Sequence, residues 1–77
     1  MQAQLPGASE AQRQAEVMEG IVQRRTSGLI RDLRVELHDG LIVLSGRSST
    51  YYAKQLAETA AMELAGHHEL ANEIVVC

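Results

Sequence analysis

Three histidines and one cysteine are the side chains of this sequence best suited to bind a metal ion. They are His38, His67, His68 and Cys77. A zinc site needs ligands spaced so that several converge on one ion, and these residues do not have such a spacing. Adjacent histidines in a loop do not converge without further ligands. We therefore expect loop and turn histidines, with no metal and no cofactor.

A second group of residue types, Ser45, His38 and Asp39, matches a nucleophile, a base and an orienting acid. Catalysis by such a group needs hydrogen-bond contact between the nucleophile and the base. The hairpin predicted below places Asp39 in a turn and Ser45 several residues away along the neighbouring strand. That separation is too large for the contact, so we expect no enzymatic activity.

Composition limits the chain to one small domain. Its 77 residues are 45% hydrophobic and include no Trp or Phe, so the core must be aliphatic and rich in alanine. A chain of this size buries only about 60 to 65% of its unfolded surface, which argues against a deep ligand pocket. The formal charge of -3 argues against a dedicated nucleic-acid-binding protein. The charge is uneven, because all seven basic residues lie at or before Lys54.

The chain ends bear on location. Residues 1–6 lack the basic and apolar regions of a signal peptide, and no apolar run approaches the roughly 20 residues that span a bilayer. Cys77 is the only cysteine, so an internal disulfide is excluded. We expect residues 1–8 to be a flexible lead-in and residues 9–77 to form one domain. The sequence is compatible with a cytoplasmic protein or with a domain excised from a longer exported chain.

Asp39 and Gly40 lie between two alternating apolar runs, which is the strongest short-range signal for a hairpin. Both turn positions need positive φ, and these residue types tolerate it. This turn fixes the register, and the predicted pairs are His38 with Leu41, Leu37 with Ile42, Val35 with Leu44, and Leu33 with Gly46. Gly46 is then expected to face the core and leave space for the second helix.

Helical patterns flank the hairpin. Ser9 and Gln12 form a capping box for a first helix that ends near Arg25, with Gly28 in the left-handed position after it. The apolar stripe of this helix is Ala11, Ala15, Met18 and Val22. Ser48 or Ser49 is expected to cap a second helix, which Gly66 ends. The apolar stripe of the second helix is Ala53, Leu56, Ala57, Ala60 and Leu64.

Residues 70–76 predict a third strand, and a right-handed crossover lays it parallel to the second strand. Asn72, near its start, is expected to cap a loop or satisfy backbone groups. The fold class is therefore α+β, an αββαβ two-layer sandwich. Its three-stranded mixed sheet has the second strand at the centre and two helices on one face.

The combination of these elements resembles the BON domain, the bacterial osmotic-shock and nodulation-associated domain family. The resemblance spans residues 10–76, with two departures, His67 after the glycine of the second helix and Ser48 where Val is common. It implies the same fold and a non-enzymatic module of bacterial envelope proteins, often duplicated, that binds phospholipid surfaces or mediates protein attachment. The residues that carry it are Gly40, Val43, Leu44-Ser45-Gly46, Lys54, Ala57, Ala60-Ala61, Gly66 and Asn72-Glu73-Ile74-Val75-Val76.

A loop with apolar residues between arginines is the first candidate binding surface. Such a mixture combines attraction to anionic lipid with shallow burial. The alternative is that Leu29 packs on the last turn of the first helix while the arginines are merely solvated. The lipid-binding candidates are Arg24, Arg25, Leu29, Ile30, Arg31 and Arg34.

The face of the sheet away from the helices is the second candidate, and its partner would be another protein, another domain or a second copy in weak self-association. Leu41, Val43 and Val75 are expected to form an apolar strip there. Tyr51 and Tyr52 suit a lipid or protein boundary, but they are better explained by Tyr52 packing inward with Tyr51 half exposed.

Overall fold

The hairpin has the predicted turn. The structure is a computed structural model that describes residues 9–77, so the predicted lead-in of residues 1–8 lies outside the described residues. Strand β1 spans Ile30–His38 and β2 spans Leu41–Ser48. Asp39 and Gly40 take φ of 50° and 83°, as a two-residue turn between twisted strands requires. The predicted pairs of His38, Leu37 and Val35 with Leu41, Ile42 and Leu44 are confirmed.

The predicted pair of Leu33 with Gly46 is wrong, because β1 contains a bulge. The antiparallel register shifts between Arg31 and Arg34, and Asp32 within the bulge has φ of 55°. Gly46 lies opposite the bulge, where an added Cβ would come within 2.9 Å of the carbonyl oxygen of Arg31. The missing side chain of Gly46 therefore makes room for the backbone of β1, and not for the second helix.

Helix α1 spans Glu10–Arg25 and begins as predicted. The Ser9 hydroxyl accepts a hydrogen bond from the backbone N–H of Gln12 at 3.1 Å. The helix ends through Thr26, a fully buried residue whose hydroxyl donates to the carbonyl of Val22 at 2.9 Å, and Gly28 follows with φ of 72°. The buried residues of α1 are Ala15, Met18 and Val22, and Ala11 is partly buried.

Helix α2 spans Tyr51–Ala65, and its cap is Thr50 rather than Ser48 or Ser49. The Thr50 hydroxyl accepts from the backbone N–H of Ala53 at 3.1 Å. Ser48 is unavailable because it is the buried last residue of β2, and its hydroxyl donates to the carbonyl of Thr50 at 2.8 Å. Gly66 ends the helix with φ of 64°. The buried residues of α2 are all alanines: Ala53, Ala57, Ala60, Ala61 and Ala65.

The third strand is formed in two pieces. Strand β3 spans Glu69–Asn72 and β4 spans Val75–Val76, and both pair with β2 in parallel. The register is the same on both sides of the break. Between the pieces, Ile74 is almost fully buried and its N–H donates to the side-chain oxygen of Asn72 at 3.1 Å.

The two helices lie on one face of a mixed sheet in which β2 is central, so the predicted fold class is confirmed. Helix α1 packs mainly on β1, and α2 packs on β2 and β3. One core fills the space between the layers. Its largest fully buried side chains are Ile30, Ile42, Leu44, Ile74 and Val22.

Candidate binding surfaces

The strand register determines which residues lie on the sheet face opposite the helices, here called the open face. Ile42 and Leu44 of β2 are buried against the helices, so the alternate residues of β2 and their partners point the other way. Four cross-strand rows result, from the end far from the turn to the hairpin end: Arg31–Arg47–Val75, Arg34–Ser45, Glu36–Val43–Ala71 and His38–Leu41–Glu69.

The predicted apolar strip on this face is discontinuous. Leu41 and Val43 are neighbours on β2 and are only partly buried, as is Ala71 beside Val43. Val75 is 56% exposed, but the row that contains Ser45 separates it from Val43. The open face therefore offers a small apolar area near the hairpin end and a separate valine at the other end.

Ile30 does not belong to a binding surface. It is 1% exposed, pairs with the buried Ser48 and faces the helices. The bulge explains why Ile30 is buried although the sequence predicted it on the surface. The inward residues after the bulge are Leu33, Val35 and Leu37, and an unbroken alternation from them would turn Ile30 outward. Leu29, by contrast, is 50% exposed, and its N–H donates to the carbonyl of Thr26 at 3.0 Å.

The predicted arginines are exposed, and their partners differ. Arg25 contacts Glu63 of α2 at 2.6 Å, and both side chains are about half exposed. Arg24, Arg31 and Arg34 are exposed on the end of α1 and on β1. Sequence reasoning missed a further arginine, since the cross-strand partner of Arg31 is Arg47 of β2. The structure thus places one of the predicted arginines, Arg31, directly beside another basic residue.

One end of the sheet collects most of the exposed apolar residues. Ile30, Ser48 and Val76 lie in one cross-strand row, so the segments that adjoin them in sequence meet at this end, here called the basal end. Large exposed apolar side chains elsewhere in residues 9–77 are Val17 and Met62. Those at or next to the basal row are Leu29, Tyr51, Tyr52, Val75 and Val76.

The expectation that Tyr52 packs inward is wrong. Tyr52 is 68% exposed and Tyr51 is 63% exposed. Ala53 takes the inward position of the first turn of α2, and a residue one place earlier is rotated by about 100° around the helix. Both tyrosine rings therefore stand on the surface next to the basal end. The Tyr51 hydroxyl accepts a hydrogen bond from Gln55 at 2.8 Å.

The histidines and the cysteine lie apart. His38 is at the hairpin end beside Glu36, with 3.0 Å between their side chains, and a ring nitrogen of His68 contacts the carbonyl of Ala65 at 2.8 Å. Cys77 is at the basal end, where its N–H donates to the carbonyl of Ser48. Within the described part of the chain, no three His, Cys, Asp or Glu residues are grouped to hold a metal ion.

Ser45 and His38 are also distant from each other. Ser45 pairs with Arg34, whereas His38 pairs with Leu41, four residues from Ser45 along β2. At about 3.3 Å per residue this is about 13 Å, several times the length of a hydrogen bond. Asp39 lies in the turn beyond His38. The three residue types therefore do not form a nucleophile, base and acid in contact.

Asn72 links the third strand to α2. Its side-chain nitrogen donates to the carbonyl of Lys54 at 3.1 Å and to the carboxylate of Glu58 at 3.2 Å. Its side-chain oxygen accepts from Ile74, as described above. Both polar atoms of the Asn72 side chain therefore bind groups of the same chain. These contacts explain Asn72 as a structural residue.

Two open grooves flank α1. One, of about 580 Å³, lies between α1 and the outer edge of β1, and residues 34–38 line its strand side. The other, of about 700 Å³, lies between α1 and the end of α2, and Val17, Ile21 and Leu64 contribute to its apolar wall. Neither groove contains a cluster of converging catalytic groups among the residues described.

Comparison with known families agrees with this architecture. The family model of the BON domain matches residues 9–77, nearly the whole chain. The chain belongs to the BON domain family. No curated protein matches it. BON domains are binding domains and not catalytic ones. Neither helix within residues 9–77 of this BON domain is long and apolar enough to cross a bilayer.

Proposed function

We propose that this BON domain attaches peripherally to anionic phospholipid surfaces through its basal end. The observation that supports this proposal is the meeting of exposed Leu29, Tyr51 and Tyr52 with arginines at one end of the sheet. Amphipathic rings favour the boundary between water and apolar lipid, and arginines attract anionic headgroups. The proposed surface keeps Arg24, Arg25, Leu29, Arg31 and Arg34, omits Ile30, and adds Arg47, Tyr51 and Tyr52.

The charge distribution favours one orientation on the lipid. Five of the six arginines lie on the end of α1 or on the strands toward the basal end. Glu36 and Glu69 lie in the rows near the hairpin end and Asp39 lies in the turn, whereas the basal half of the strands has two acidic residues, Asp32 and Glu73. An anionic surface therefore attracts the basal end and repels the hairpin end.

The expected attachment is weak. Each arginine near an anionic surface contributes about 1 kcal/mol, and the tyrosines and Leu29 add shallow burial. Asp32 and Glu63 oppose part of this attraction, because Asp32 contacts Arg47 at 2.7 Å and Glu63 contacts Arg25 at 2.6 Å. Salt screens exposed charges, so the binding should fall as ionic strength rises.

Co-sedimentation with vesicles tests this proposal. The protein should sediment with vesicles of phosphatidylglycerol and phosphatidylcholine at low salt, and much less with phosphatidylcholine alone. Replacing Tyr51 and Tyr52 together by Ser should weaken the sedimentation while leaving its salt dependence in place. Equal binding to neutral and anionic vesicles would contradict the proposed role of the arginines.

Protein docking on the open face is the second candidate function. Leu41, Val43 and Ala71 are adjacent on β2 and β3, and none is fully buried. An apolar group of this size suits a contact with another protein or domain better than insertion into lipid, because charged residues surround it. Binding by this route should depend little on salt, which distinguishes it from the basal end.

A further inference from the structure

The outer edge of β1 has backbone groups that face away from the sheet. Among the strands of residues 9–77, β1 lies at the edge of the sheet and pairs only with β2. The N–H of Val35 points to the outer side, since it donates to the carboxylate of Glu19 at 3.1 Å and not to β2. In a regular antiparallel strand every second residue turns its N–H and C=O the same way, so Leu37, beyond the bulge, also directs these groups outward. Such an edge is a template for another strand.

We propose that the partner for this edge is β1 of a second copy of the chain, paired antiparallel about a two-fold axis at Val35. This register places Leu33 opposite the partner's Leu37 on the helix side of the sheet. On the open face it places Arg34 opposite the partner's Glu36, and symmetry forms that pair twice. A two-fold interface must be complementary to itself, and this strand meets that condition in both charge and apolar pattern.

Charge selects this register over its neighbours. A two-fold axis at residue 34 would set Arg34 against the partner's Arg34, and an axis at residue 36 would set Glu36 against the partner's Glu36. Like charges directly opposite one another on a sheet are destabilising. The axis at Val35 turns the same side chains into two opposite-charge pairs. The same axis pairs Val35 of one copy with Val35 of the other through backbone hydrogen bonds, which fits the outward direction of the Val35 N–H.

Glu19 competes with the second copy. Within one chain its carboxylate accepts a hydrogen bond from the N–H of Val35. In the dimer this hydrogen bond would have to break so that the N–H can donate to a carbonyl of the partner strand. The edge is thus protected at its centre when the chain is alone, as edges of soluble proteins commonly are. The dimer is therefore weak and dependent on concentration, and its pairing segment, residues 33–37, shares Arg34 with the proposed lipid-binding surface.

Charge reversal tests the proposed pairing. The full 77-residue chain is studied without lipid by sedimentation equilibrium over a concentration series. The wild-type average mass should rise toward that of two chains. Arg34→Glu alone and Glu36→Arg alone should each weaken the association constant by about tenfold or more, because two attractive pairs become repulsive. An equimolar mixture of the two variants should associate again, since each chain then faces opposite charge.

Two further variants define the test. The double variant Arg34→Glu/Glu36→Arg exchanges the charges within one chain and should associate by itself about as well as the wild type. Arg24→Glu makes the same charge change away from the β1 edge and should leave association unchanged. A wild-type chain that stays monomeric at its highest soluble concentration would overturn the proposal. So would single variants that associate like the wild type, or a mixture that does not regain association.

Discussion

A Cβ atom on Gly46 would lie 2.9 Å from the carbonyl oxygen of Arg31, closer than real Cβ contacts come. The contact is with backbone of the β1 bulge, which cannot move aside as a flexible side chain can. Gly46 also has φ of 144°, a conformation that other residues rarely adopt. The bulge in β1 and the glycine in β2 therefore depend on each other.

Replacing Gly46 should test that dependence. Both Gly46→Ala and Gly46→Val should lower the free energy of unfolding, by about 1 to 3 kcal/mol or more, because of overpacking and backbone strain. Urea denaturation measures the change. Gly20→Ala in α1 is the matched control, since nothing lies within 4 Å of its added Cβ, and it should stabilise by up to about 1 kcal/mol. A neutral Gly46→Ala variant would contradict the close approach to β1.

The cap of α2 gives a second prediction. Thr50→Ala removes the side-chain acceptor for the N–H of Ala53 and should cost about 0.5 to 2 kcal/mol of stability. Ser49→Ala is the control, and an exposed residue without that contact should change stability by less than about 0.5 kcal/mol. Thermal or urea melts distinguish the two variants. A larger loss from Ser49→Ala would mean that the helix begins elsewhere.

Asn72 gives a third prediction. Asn72→Ala deletes the donor to Lys54 and Glu58 and the acceptor for Ile74, so a loss of about 1 to 3 kcal/mol is expected. Asn72→Asp keeps the acceptor but sets a carboxylate against the Lys54 carbonyl and the Glu58 carboxylate. It should therefore also destabilise the protein at neutral pH, as urea titration would show. Wild-type stability in the Asp variant would exclude a donor role for Asn72.

Local signals predict much of this fold. The Asp39-Gly40 turn fixed three of four strand pairs, because side-chain alternation on both sides supports only one register. The capping box of α1 and the glycine after α2 mark helix ends through backbone geometry that few residue types allow. These elements follow from neighbouring residues, so no tertiary information is needed to place them.

The predictions from sequence are wrong where residues distant in the chain determine the local structure. The bulge near Asp32 has no strong local sequence signal, and it inverts the inward and outward phase of β1 before Leu33. Missing it misplaced Ile30 on the surface and gave Gly46 the wrong neighbour. The exposure of Tyr52 and the position of Arg47 beside Arg31 likewise depend on how α2 and β2 meet the rest of the fold.

Backbone NMR during titration with anionic vesicles would show which surface of the domain contacts lipid. Signals of Leu29, Arg31 and Tyr51 should change or broaden at lower lipid concentration than those of Leu41 and Val43. Neutral vesicles should have far less effect. Arg31→Glu should weaken binding by about 2 kcal/mol, since one attraction of about 1 kcal/mol is lost and a similar repulsion replaces it.

The matched control for that measurement is Arg13→Glu, the same charge change on the first turns of α1, where Arg13 contacts Glu10. Arg13→Glu should bind anionic vesicles much as the wild type does, whereas Arg31→Glu should bind them more weakly. Perturbations centred on Leu41 and Val43 that persist at high salt, with equal binding by both variants, would contradict attachment through the basal end.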